Sequence, residues 1–226
     1  RRERDVAASP WNRLADLEWD TPVGDAAACG GDMMVRVDVF RSVAGYDASL
    51  IAGEDPDLCL RIRRAGHRVV RLDREMTLHD AALLRFGQWW RRQSRSGHAY
   101  AESVWRHWPR PDRHRLRRLA SIGFWGGVLP AAAVVGAPWT GGASLLLLGA
   151  WTLPWARAWS DARRRAPARD AALWATACVV GKIAELQGVA TFAWNRLVLR
   201  RTSGLIEYKG ADARPRGSDG RPIPRP

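Results

Sequence analysis

Residues 29–69 read CGGDMMVRVDVFRSVAGYDASLIAGEDPDLCLRIRRAGHRV, and glycines divide them into short elements. Gly30 and Gly31 lie within residues 24–37, which predict two strands about a tight turn. Asp38 stands as a capping residue ahead of a short helix over 39–44, and Gly45 ends it. Residues 54–65 predict a longer helix. Leu58, Ile62 and Ala65 share one face, Glu54, Asp55 and Asp57 open it, and Gly66 stops it. Beyond it, the apolar Val69, Val70 and Leu72 predict a strand over 68–73. Strand, helix, strand is the order of a layered α/β unit, so the expected fold class is α/β.

Working outward, residues 1–22 are polar with scattered aromatics and read as irregular. Residues 82–104 predict a long helix with Leu83, Phe86, Trp90 and Ser94 on one stripe. Between Arg85 and Arg118 ten arginines face only Glu102 and Asp112, and Trp89, Trp90, Trp105 and Trp108 sit among them. Tryptophan beside arginine suits a helix lying on an anionic membrane surface. The alternative is a solvated basic helix that packs its tryptophans into a core.

Residues 119–156 contain no charged side chain. A single span needs about 20 residues, and these 38 positions are broken by Pro138-Trp139-Thr140-Gly141-Gly142. They predict a transmembrane hairpin with arms 119–137 and 141–158. Arg113, Arg115, Arg117 and Arg118 precede it, Arg157, Arg163, Arg164, Arg165 and Arg169 follow it, and the turn is uncharged. The positive-inside bias puts both flanks in the cytoplasm. A buried hairpin of a soluble protein is the competing reading, but the chain has little other material to wrap it. Residues 171–199 are apolar yet carry Lys182, Glu185, Gln187 and Asn195, which favours a helix in the interface over a third span. The Gly/Pro/Arg-rich segment 210–226 is expected to be disordered.

Thirty-six basic against 23 acidic residues give a formal charge of +13, and all the basic residues but Lys182 and Lys209 are arginine. Such a balance calls for an anionic partner. Nucleic acid is not expected: no recognition motif is present, and the arginines cluster beside the apolar hairpin, where membrane lipid already accounts for them. Cys29, Cys59 and Cys178 are odd in number and widely spaced, which excludes a disulfide framework or a thiolate zinc site and fits a reducing compartment.

Four groups carry possible chemistry. Glu54 and Asp55, at the mouth of a helix, serve either as dipole compensation or as a general base. Cys29-Gly30-Gly31-Asp32 is either an ordinary turn or a loop whose backbone comes close to a ligand. His79, just past a strand, is a structural residue, an acid/base or a metal ligand. Gln88, Trp89, Trp90, Arg91, Arg92 and Arg95 hold membrane-surface charge or a diphosphate, since each guanidinium offers a planar fork of donors.

The order of these motifs resembles the C-terminal half of family 2 glycosyltransferases, the acceptor side of a GT-A fold, over residues 16–102. The resemblance implies an organisation in which 1–81 is the acceptor-side part of the catalytic domain and 82–118 an Arg/Trp interface helix with its linker. A transmembrane hairpin follows at 119–158, then the interfacial or third membrane helix at 171–199. It implies Asp55 as catalytic base, Glu54 shaping the acceptor pocket, Gly30, Gly31 and Asp32 beside the acceptor, and His79 completing a Mg²⁺ or Mn²⁺ site. The Gln88–Arg92 run matches the family's Gln/Arg/Trp region loosely, without a Trp after the Arg, which argues against processive polymerisation. The implied reaction is inverting transfer of a sugar from a nucleotide-diphosphate sugar to a hydroxyl of a glycan or lipid-linked acceptor. The implied location is the cytoplasmic membrane, with the catalytic part facing the cytoplasm. The family's nucleotide-binding units and Asp-x-Asp metal motif have no counterpart in these residues, so this stretch alone is expected to be inactive. The alternative is a non-catalytic membrane module that binds anionic lipid or a lipid-linked diphosphate.

Overall fold

A computed structural model describes residues 1–200; the segment 210–226 lies outside them. The first turn of structure is where the sequence reading expected none. Ser9 caps helix α1 (Pro10–Trp19) by accepting from the Asn12 amide at 3.0 Å, and Pro10 fills the first helical position. Ahead of it β1 (Arg2–Glu3) pairs in parallel with β4 (Leu78–His79), and β2 (Gly24–Asp25) pairs antiparallel with β3 (Val70–Arg71). Buried side chains tie these ends together. Glu3 accepts from the Ala81 amide at 2.9 Å, and Asn12 accepts from the Leu83 amide at 2.9 Å. Ser9 also donates to the Leu83 carbonyl.

The molecule is mostly helical, with four short strands among the described residues, and so is α/β only in a coarse sense. The strand pair expected within 24–37 is reduced to two residues. Met33 and Val35 instead pack on Val39, Leu58 and Ile62, and that contact replaces the pairing that would have made them a strand. Helix α2 (Val37–Ser42) begins two residues earlier than expected, because Asp38 lies inside its first turn and pairs with Arg36 at 2.9 Å instead of capping it. Helix α3 (Glu54–Arg64) matches the expected span, with acids in its first turn and Arg61, Arg63 and Arg64 in its last.

Helix α4 (Phe86–Arg106) packs most extensively on α8 (Ala168–Ala193). Between them come the hairpin elements. The first arm is α5 (Arg113–Gly123), a π turn (Phe124–Val128) and α6 (Leu129–Gly136). Gly141 and Gly142, both at positive φ, turn the chain. The second arm is a 3₁₀ segment (Ala143–Trp151) followed by α7 (Thr152–Ala162). Allowing about 1.5 Å per α and about 2.0 Å per 3₁₀ residue, the uncharged parts of the arms, 119–136 and 143–156, are about 27 Å and about 26 Å long, close to a hydrocarbon core of about 30 Å. Arg113–Gly136 is the one helix among the described residues long and apolar enough to cross a membrane, and its most apolar window is only 22% buried. Nothing in Ala143–Trp151 is buried, and Leu146 is 81% exposed. Helix α8, by contrast, buries Lys182 and Glu185 against its neighbours, with Lys182 Nζ 3.1 Å from Glu185.

Candidate functional site

The loop ahead of α3 is held under α4. Gly53 adopts the left-handed conformation (φ 84°), and a Cβ there would stand 3.2 Å from the Ala99 methyl group. Arg95 donates to the Ile51 carbonyl at 2.8 Å. This fixes the first turn of α3, where the three carboxylates separate by role. Asp57 is buried and takes Arg61 and the His107 ring, each at 2.8 Å. Its task is to join α3 to the segment after α4, where Arg63 also meets Asp112 at 2.7 Å. Glu54 and Asp55 remain half-buried at the helix mouth.

Asp55 is oriented from both sides. Its Oδ2 accepts from the Gly31 amide at 2.8 Å and its Oδ1 from the Tyr46 hydroxyl at 3.1 Å. Each oxygen keeps a further lone pair, so the carboxylate is positioned while still able to accept a substrate proton. Burial, and then the bond to Asp55, push the Tyr46 hydroxyl up to about 12, so it remains a donor at neutral pH. Cys29 lies beside this loop with its sulfur 3.4 Å from that of Cys59, and both are free thiols.

From Gly31 the site continues to a second cluster. The Arg1 guanidinium pairs with Asp32, lies against Gly30, and sits 5.1 Å over the Trp19 ring. Burial raises the Asp32 carboxyl, but Arg1 outweighs it and holds the group below its ordinary range. His79 meets the same Trp19 edge-on, with ring centroids 5.2 Å apart. Contacts therefore run from His79 through Trp19 and Arg1 to Asp32 and Gly31, and on to Asp55 and Tyr46. The structure links His79, Gly30, Gly31, Asp32 and Asp55, chosen from separate motifs. Trp19, Arg1 and Tyr46, which join them, were missed; only Tyr46, next to the helix-ending Gly45, carried any local cue.

The six diphosphate candidates divide. The Gln88 side chain accepts from the Leu84 and Arg85 amides at 2.8 and 2.9 Å and caps α4. Trp89 is buried and stacked on Trp11, and the Trp90 indole donates to Gln187 of α8 at 2.7 Å. Arg92 pairs with Glu18 at 2.5 Å, Arg91 is exposed, and Arg95 reaches the loop before Asp55. The described residues gather no group of three or more His, Cys, Asp or Glu side chains suited to a metal ion. No known protein family, curated protein or solved structure matches the chain.

Proposed function

We propose that these residues form the acceptor side of an inverting glycosyltransferase of the GT-A type, held at the cytoplasmic membrane by the hairpin, with its site facing the cytoplasm. The observation that carries this reading is Asp55 at the mouth of α3, oriented by the Gly31 amide and the Tyr46 hydroxyl. In the reaction, Asp55 takes the proton of the acceptor hydroxyl as that oxygen bonds to the anomeric carbon. The bond to the nucleotide diphosphate breaks on the opposite face, and the diphosphate leaves with the electron pair. Glu54 shapes the acceptor pocket, and the Gly30-Gly31 backbone lets a glycan or lipid-linked acceptor approach. Mg²⁺ or Mn²⁺ neutralises the departing diphosphate in such reactions. His79 would supply one ligand to such an ion.

Membrane attachment is supported by the two apolar arms, where Val128, Val134, Val135, Leu146 and Leu153, with Trp139 in the turn, are exposed between arginine-rich flanks. The same exposed arms favour a second reading, a non-catalytic module for anionic lipid. The test is transfer of labelled sugar from UDP-glucose, UDP-galactose, UDP-N-acetylglucosamine and GDP-mannose in membranes containing the native polypeptide. Asp55→Asn is expected to lower turnover by at least about 100-fold at unchanged protein level, the scale of a general base. Turnover that survives Asp55→Asn, or no donor consumed, would overturn the transferase reading and leave the lipid module.

A further inference from the structure

A cavity of about 320 Å³ opens where the two arms meet α8. Its polar side is cationic: Arg118 from α5, Arg157 from α7 and Lys182 from α8. Its other walls are Trp125, Trp151 and Pro154 of the arms. Glu185, behind the wall, pairs with Arg118 at 2.5 Å and Lys182 at 3.1 Å, and so offsets one of the three positive charges. Among the described residues, the buried Arg118 Nε has no acceptor and Arg157 is in no ion pair. Charges so near an apolar span face a ligand or a cavity, because exposure to hydrocarbon is costly.

We infer that this cavity binds the phosphate group of an anionic lipid, whose hydrocarbon chain leaves along the uncharged arms. Three features select that ligand. The guanidinium and ammonium donors match phosphate oxygens. The cavity sits at the level where the arginine-rich flanks give way to residues 119–156, which is where a lipid phosphate resides. The tryptophan walls suit the boundary between headgroup and acyl chain. The inference rests on the hairpin's membrane reading and not on the transferase reading, so either can fail alone.

The probe is dioctanoyl phosphatidic acid added to the full chain in neutral detergent, read by quenching or shift of tryptophan fluorescence. Dioctanoyl phosphatidylcholine and inorganic phosphate are the comparison ligands. Arg157→Gln is the chosen variant, because it leaves the Arg118–Glu185–Lys182 group intact, and Arg164→Gln, likewise exposed but outside the cavity, is the control. The expected result is saturable binding of one phosphatidic acid per chain, weakened at least tenfold by Arg157→Gln and less than twofold by Arg164→Gln. Equal losses in the two variants, or unsaturable binding, would reduce the effect to surface charge and overturn the site. Phosphatidylcholine, whose phosphate charge is balanced by its choline, binding as tightly would remove the selectivity for an anionic headgroup and overturn the proposal. Inorganic phosphate displacing the lipid with the lipid's own affinity would make this a soluble-anion site.

Discussion

Placing a methyl group at Gly97 is expected to force α4 and α8 apart. A Cβ there would stand 2.7 Å from the Glu185 Cα and closer still to its carbonyl, and one on Gly188 would stand 2.7 Å from the His98 nitrogen. Ordinary contact begins near 3.4 Å, so the backbones must part by at least about 0.7 Å at this crossing. A gap of that size forfeits about a quarter of the dispersion energy of each contact around it. Overpacking of this kind costs about 1–3 kcal/mol, and the neighbouring atoms are backbone, which cannot swing aside. Replacing a helical glycine by alanine returns about 1 kcal/mol of helix propensity. Because the obstructing atoms are backbone, the upper end of that range applies, and Gly97→Ala should lose about 2 kcal/mol net, or about 4–8 °C of melting temperature for a chain of this size. Gly87→Ala on the same helix meets nothing within 4 Å and should gain about 0.5 kcal/mol. In Gly97→Ala/Gly188→Ala the second methyl should cost less than the first, since the crossing is already open. Circular dichroism melts in neutral detergent measure all three. A Gly97→Ala variant that melts at or above the parent temperature refutes the close approach.

Three further outcomes follow from the site and the buried charges. Tyr46→Phe removes one of the two donors on Asp55 and should lower turnover about tenfold with little change in melting, because Tyr46 is 45% exposed and only partly desolvated. In the parent chain, ultraviolet titration should find this phenol ionising near 12, and any stability it contributes is lost as pH rises from about 10 towards that value. Burial pushes His98 down to about 4, so its NMR signals should show a neutral ring at pH 7. For a base with a depressed folded pKa, stability is present above about 6.5 and declines as pH falls towards 4, and His98→Phe should flatten that part of the melting curve. Glu185→Gln leaves the buried Lys182 without its partner beside the part-exposed Arg118 and should cost about 3 kcal/mol, with Lys182→Gln recovering part of it in the double variant.

The parts legible in the sequence are those where local chemistry and burial agree. Helix α3 has a glycine before it, acids at its start and arginines at its end, and the fold keeps all three. The hairpin turn is marked by Gly141 and Gly142, and the structure turns there. Helix α1 was missed because its apolar face is narrow: only Leu14 and Ala15 among its apolar residues are buried, and its start depends on Ser9 and Asn12 reaching Leu83, more than seventy residues away. Residues 24–37 read as two strands about the Gly30-Gly31 turn, but a turn signal supplies no pairing partner. Gln88 shows the same limit for chemistry: a carboxamide that caps a helix and one that binds a diphosphate are the same letter. Asp55 and Asp57 were separable only by burial, since the partners of Asp57 include His107, fifty residues on.

Within α4, residues 94–99 serve two neighbours at once. Ser94 and Gly97 lie against α8, while Arg95 and Ala99 hold the loop that precedes Asp55. Both duties fit into less than two turns of helix, and one inserted residue rotates everything beyond it by about 100°. Inserting or deleting a residue here would present the wrong face to each neighbour at the same time, and no single compensating substitution could repair both. Length changes in descendants of this sequence should therefore collect on either side of 94–99, leaving those six positions as a fixed phase mark between α8 and the loop that precedes Asp55.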